Sequence, residues 1–115
     1  MIYAIVCLRM ARDPFTGHLD MLLLAALRSQ PMHGYAIIEY VRQASSGQFD
    51  HAEGTIYPAL RRLEDDGLLS SRWSETERRR RRIYAISPRG SKALVGHRRA
   101  WERFTNGVEA VLDHG

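Results

Sequence analysis

The sequence predicts a mainly α-helical fold that carries a small two-stranded β hairpin and ends in one long helix. Three observations predict it. Apolar residues recur at helical spacing in three successive stretches, each closed by Pro, Gly or Ser. Two short runs with β-branched or aromatic content, "LLSSRW" and "RRRIYAIS", lie on either side of the polar "SETE". A Ser-Pro pair then opens a last stretch whose apolar residues step by three and four.

The N-terminal run "IYAIVCL", residues 2–8, is apolar but too short to span a bilayer. No positive residue precedes it and no small-residue cleavage pattern follows, so it is read as an N-terminal arm or helix within residues 1–15. After the break at Asp13-Pro14, "TGHLDMLLLAALRS" forms the first helix, with Leu19, Leu22, Leu23, Ala26 and Leu27 on one buried stripe. "SQPMHGY" interrupts the pattern at Pro31 and Gly34. The second helix runs from about Tyr35 to Ala44 with Ile37, Ile38 and Val41 turned inward, and "SSGQFD" is a turn.

The third helix covers roughly Ala52 to Asp66, burying Ile56, Ala59, Leu60 and Leu63 and stopping at Gly67. Asp50 and Glu53 have the spacing of a capping box at its entry. Pro58 lies inside this helix, where it offers no N–H to the carbonyl at Gly54 and crowds it. Glycine there leaves the backbone free to adjust, so the helix is expected to continue with a slight bend. In the hairpin that follows, Arg82, Tyr84 and Ile86 point one way and Arg81, Ile83 and Ala85 the other, with Arg78 to Arg80 at the tip. Ser87 is the N-cap and Pro88 the first residue of the last helix, which reaches about Leu112. Leu94, His97, Trp101, Phe104, Val108 and Val111 form one stripe along it, too short for a full coiled coil but in need of a partner. Dimerisation across this stripe is the preferred reading; packing back on its own domain is the other.

The charge is localised. The 115 residues include 17 basic and 13 acidic side chains, a net charge of +4. Between residues 72 and 82, six arginines stand against two glutamates, so this patch alone equals the whole surplus. Cys7 is the single cysteine, which rules out an intrachain disulfide and suits a cytoplasmic location. Its apolar neighbours oppose the lowered pKa that a redox sensor needs. His18, His33, His51, His97 and His114 show no close ligand spacing, so a metal-sensing site would have to assemble across a dimer. No paired carboxylates, nucleophile–base arrangement or phosphate-cradling glycine loop is present; the chain is read as a non-enzyme without cofactor.

Three helices, a two-stranded hairpin and a last helix follow the winged helix-turn-helix order. The motifs "GHLDMLLLAALRSQPMHGYAI", "GTIYPALRRLEDDGLL" and "RRRRRIYAISPRG" resemble, in order and over about residues 16–94, those of the PadR family of bacterial transcriptional regulators. The resemblance implies a winged helix DNA-binding domain at residues 16–87 and a C-terminal dimerisation helix at 88–115. It further implies a homodimeric, cytoplasmic repressor of a double-stranded DNA operator, released by a small-molecule effector or another signal. Some relatives enclose a flat aromatic-lined pocket at the dimer interface, which would fall at Trp101 here. The family often carries Ser-Pro where this chain has Ala52 and Glu53, and its members usually start later than the "MIYAIVCLRMARDP" leader. Glu53 would repel phosphate, so it is expected to cap the helix or read a cytosine amine.

On that reading the helix opening from Gly54 to Pro58 offers backbone amides and a positive dipole end to a phosphate. Thr55 and Tyr57 supply hydroxyl donors, and Pro58 or the Thr55 methyl can touch a thymine methyl. Tyr35 resembles a family phosphate contact. Arg61 and Arg62 reach backbone or a guanine edge, unless one pairs with Asp65 or Asp66. Arg79, Arg80 and Arg81 neutralise phosphate without reading sequence. Leu94, Trp101, Phe104, Val108 and Val111 would join the subunits. The competing readings are a winged-helix module whose basic wing meets an acidic protein or a ligand, and a regulator that responds to redox state or metal.

Overall fold

The computed structural model describes residues 14–76 and 79–114. The expectations for the N-terminal arm, Cys7 and Arg78 lie outside the described residues. The elements run α1 (Pro14–Ser29), β1 (Met32–His33), α2 (Gly34–Ala44), α3 (Glu53–Asp65), β2 (Leu69–Thr76), β3 (Arg79–Ile86) and α4 (Pro88–His114). The fold is mainly helical with a small antiparallel wing and a long C-terminal helix, as the sequence predicts.

Helix α1 is central because its sequence is apolar on more than one side. It packs against α2, α3, α4 and β3. Leu23, Leu24, Ala26 and Leu27 are buried, while Leu19 and Leu22, expected on the same stripe, are only partly covered. The expected stripe is therefore wider and rotated, with Leu24 added. Ile37, Ile38 and Val41 of α2 and Ile56, Ala59, Leu60 and Leu63 of α3 close the core from the other side, each at its expected position.

The wing has three strands rather than two, in the order β1-β3-β2. Met32 pairs with Tyr84 and His33 with Ile83, so the interruption between the first two helices becomes a short third strand. In the hairpin Trp73 faces Arg82 and Leu69 faces Ile86. Tyr84 is buried and Ile86 packs on the core, which ties β3 to the domain.

Helix α3 passes through Pro58 without a break. Its N-cap is Ala52, with no side-chain hydrogen bond to the helix start, so the Asp50/Glu53 capping box does not form. At the other end Gly67, at φ +80°, allows the Gly67 amide to donate to the Glu64 carbonyl and the Leu68 amide to Leu63. Ser87 joins this turn to α4. Its hydroxyl accepts from the Gly90 amide at 3.0 Å and donates to the Gly67 carbonyl at 2.7 Å. Ser87→Ala removes both bonds and lowers stability by about 1 kcal/mol. Urea unfolding measures this, and an unchanged midpoint would rule out the capping role.

Candidate nucleic-acid interface

One side of the molecule gathers the residues that chemistry singled out. Gly54, Thr55, Tyr57, Pro58 and Arg61 are exposed along the outer face of α3. A Cβ on Gly54 would meet nothing within 4 Å, so glycine there is not required by packing inside the chain. It leaves the helix opening low, where another surface can come close to the backbone. Tyr35, 57 % exposed, stands beside this face at the start of α2. The ring of Tyr57 lies directly over Gly34, whose missing Cβ would sit 2.5 Å from the ring.

Arg62 is differently employed. Its guanidinium donates two hydrogen bonds to the carboxylate of Asp20, which is 3 % exposed. This bidentate pair keeps Arg62 charged, with its pKa raised above the usual value first by the hydrogen bonding to Asp20. The partner is neither Asp65 nor Asp66 but a residue 42 positions earlier. Arg62 thereby fastens α3 to α1.

The wing arginines are held in fixed places. Arg80 lies 4.4 Å and Arg82 5.0 Å from the ring centre of Trp73; Arg82 stands directly across from it on β3 and Arg80 two residues nearer the wing's tip. Arg82 also donates to the Ser71 hydroxyl at 2.7 Å, and Ser71 donates in turn to Glu64 of α3 at 2.5 Å. Arg81 reaches His33 at 2.8 Å. Arg79 pairs through its backbone with Thr76 at the wing's outer end. Between the wing and the starts of α2 and α3 lies a cleft of about 640 Å³, into which Tyr35, Tyr57 and Arg80 to Arg82 face, with Glu53 at its edge. Trp73 and His33 were not singled out by sequence. The signal for Trp73 was the antiparallel register that sets it opposite an arginine; for His33 there was none until β1 was seen.

The long helix divides its expected stripe in two. Leu94 and His97 are buried against the chain's own domain. Trp101, Phe104, Val108, Val111 and Leu112 are exposed, with the Trp101 and Phe104 rings 5.8 Å apart. Phe104, Val108, Val111 and Leu112 border one shallow apolar depression around Gly107.

On another side, His18, Phe49 and His51 bring their rings within 5.6–6.3 Å of one another. Burial and then the neighbouring His18 push the His51 pKa below the usual histidine range. Among the described residues no group of three or more His, Cys, Asp or Glu side chains could hold a metal ion, and no helix is long and apolar enough to cross a membrane.

Residues 23–95 match the family model described as the transcriptional regulator PadR-like family. The transcriptional regulator Rv3488 of Mycobacterium tuberculosis is 47 % identical over 61 residues, covering 53 % of this chain and 57 % of that protein. The chain spans about half the length of the curated relatives it matches. A transcriptional regulator from Clostridium thermocellum superposes with a TM-score of 0.79 at 30 % identity, over 85 % of this chain and 96 % of the other. Bacillus subtilis PadR, solved in complex with operator DNA, superposes with a TM-score of 0.61 at 25 % identity, over 66 % of this chain and 44 % of the other.

Proposed function

Because this chain belongs to the PadR-like family of transcriptional regulators, we propose that it binds double-stranded operator DNA as a homodimer and represses transcription until a small-molecule effector releases it. The observation that carries the DNA reading is the convergence of Arg80, Arg81 and Arg82 with Tyr35 and Tyr57 on one cleft beside the exposed face of α3. Charge, hydroxyl donors and a slim helix opening stand together, which is what a phosphate backbone and a groove floor require. The likeness to a PadR solved with operator DNA supports the same reading.

Residues 16–87 act as the reading domain and residues 88–115 as the dimerisation helix. Helix α3 enters the major groove with Gly54, Thr55, Tyr57 and Pro58 foremost and Arg61 reaching to backbone or base edge. Arg62, engaged by Asp20, sets the angle of α3 more than it touches DNA. The wing lays Arg79, Arg80 and Arg81 along flanking phosphates. Trp101, Phe104, Val108 and Val111 meet their counterparts in a second subunit, with the effector seated near Trp101; Leu94, buried in its own domain, supports the helix from behind.

Fluorescence anisotropy against duplex DNA from upstream of its own gene, over a salt series, tests this. Selective binding over scrambled DNA, with affinity falling steeply as salt rises, is expected. Indifference to every duplex even at low salt would overturn it and direct attention to an acidic protein partner.

A further inference from the structure

One imidazole is shared between the wing and the start of α2. His33 Nδ1 lies 3.3 Å from the Ala36 amide nitrogen, capping α2, and His33 Nε2 lies 2.8 Å from Arg81 Nη1. Both neighbours can only donate: an amide N–H and a guanidinium that stays charged. A neutral imidazole has one acceptor nitrogen, because the other carries the proton. At any moment one of the two contacts sets donor against donor. The doubly protonated ring satisfies neither. The shorter, charge-assisted contact favours acceptance at Nε2, which leaves the helix cap unmade.

An acceptor seated between Nε2 and Arg81 removes the conflict. The proton then rests on Nε2 and is donated to the newcomer, Arg81 donates to it as well, and Nδ1 is free to cap Ala36. The cleft beside them has room for such a group, and Tyr35, Tyr57 and Arg80 face it. A phosphate oxygen suits it best, being anionic and able to accept several bonds at the end of a helix whose dipole is positive there.

We propose that His33 and Arg81 together form the seat for one backbone phosphate of bound duplex DNA, with His33 donating through Nε2–H. This rests on the DNA-binding reading above and adds a contact to it. The groups facing the seat are Arg80, Arg81, Arg82 and Tyr84 from β3, Glu53 and Tyr57 from α3, Tyr35 from α2 and Trp73 from β2. Glu53 is the carboxylate among them.

The seat has a proton signature of definite sign. In the free chain, burial and then Arg81 hold the His33 pKa below the usual histidine value of 6.5. A backbone phosphate against Nε2–H offsets the repulsion from Arg81 and raises the pKa of the bound form relative to the free chain. The second ring proton, which goes to Nδ1 and displaces the Ala36 cap, is held more tightly in the complex than in the free protein, and affinity rises as pH falls through the window between the two values. If His33 merely braced Arg81, protonation would expel the guanidinium and affinity would fall instead.

The test is anisotropy with a fluorescein-labelled duplex of scrambled sequence at low salt, between about pH 8 and pH 6, comparing the wild type with His33→Asn. Asparagine keeps an N-cap acceptor but has no ring to titrate; circular dichroism checks that its helix content is unchanged. Wild-type affinity is expected to rise up to about tenfold per subunit for each unit by which the phosphate raises the ring's pKa, and His33→Asn to bind more weakly without that rise. Nitrogen NMR of the ring at about pH 8, where it is neutral, is expected to show the proton moving from Nδ1 to Nε2 when DNA is added. A rise that persists in His33→Asn, or a wild-type affinity that falls with pH, overturns the seat while leaving DNA binding intact. Failure to bind the duplex at any pH overturns both.

Discussion

Replacing Arg79, Arg80 and Arg81 together by alanine lowers affinity for duplex DNA by at least about a hundredfold at low salt and flattens the salt dependence by about three units per subunit. The reason is counterion release: each guanidinium that neutralises a phosphate frees condensed cations, and each loss removes about one unit of slope. The loss should be nearly equal for operator and scrambled DNA, since wing contacts to phosphate carry no sequence information. The effect does not extend simply to Arg82. That side chain is bonded to Ser71 and lies 3.8 Å from Glu64, so its removal disturbs the join between wing and α3 as well. The measurement is a salt titration by anisotropy. A triple variant with the wild-type slope would mean that the arginines are only a solvated tip.

Gly90→Ala lowers stability by about 3 kcal/mol and the melting temperature by on the order of 10 °C. A Cβ at this position would stand 2.1 Å from the Leu68 carbonyl oxygen and 2.8 Å from the Ile86 side chain. The first obstacle is backbone, which cannot swing aside as a side chain tip can. Accommodating the methyl means lifting α4 from the turn after α3, where the Ser87 amide also donates to the Leu68 carbonyl at 3.1 Å. Gly67 offers a contrast within the same turn. A Cβ there would meet the mobile end of Arg89, and the cost comes from its positive φ instead. Calorimetry on both variants separates the two causes. A Gly90→Ala variant melting with the wild type would show that α4 does not press on this turn.

Elements whose cause is local were legible in the sequence. The apolar spacing of α2 and α3, the Ser87 cap and the Gly67 stop each depend on residues a few positions apart, and each stands where expected. What escaped depends on distant partners. Strand β1 is two residues between Pro31 and Gly34 and exists only because β3 lies beside it. Sequence proximity offers Arg62 the nearby Asp65 and Asp66, while Asp20, the side chain it engages, comes from a different helix. The capping box had the right letters, but Ala52 took the cap position, and its methyl can accept nothing. In α4 a single spacing runs through Leu94 to Val111, and periodicity does not show that its first part is buried against the domain while its last part stands exposed. For the candidate site, the residue types of α3 and the wing were readable; the cleft that joins them, with Trp73 and His33, required the tertiary arrangement.

The chain of contacts from Glu64 through Ser71 to Arg82 braces the wing against α3 and presets the spacing between them. A loose wing would search for its phosphates after the helix had docked, and would lose freedom in doing so. Here that order is already imposed by folding. A duplex whose groove does not match this preset spacing strains the Glu64–Ser71–Arg82 contacts, which favours absorbing the mismatch by bending or narrowing the DNA. The stiffness of base steps that no side chain touches then becomes part of what the protein distinguishes.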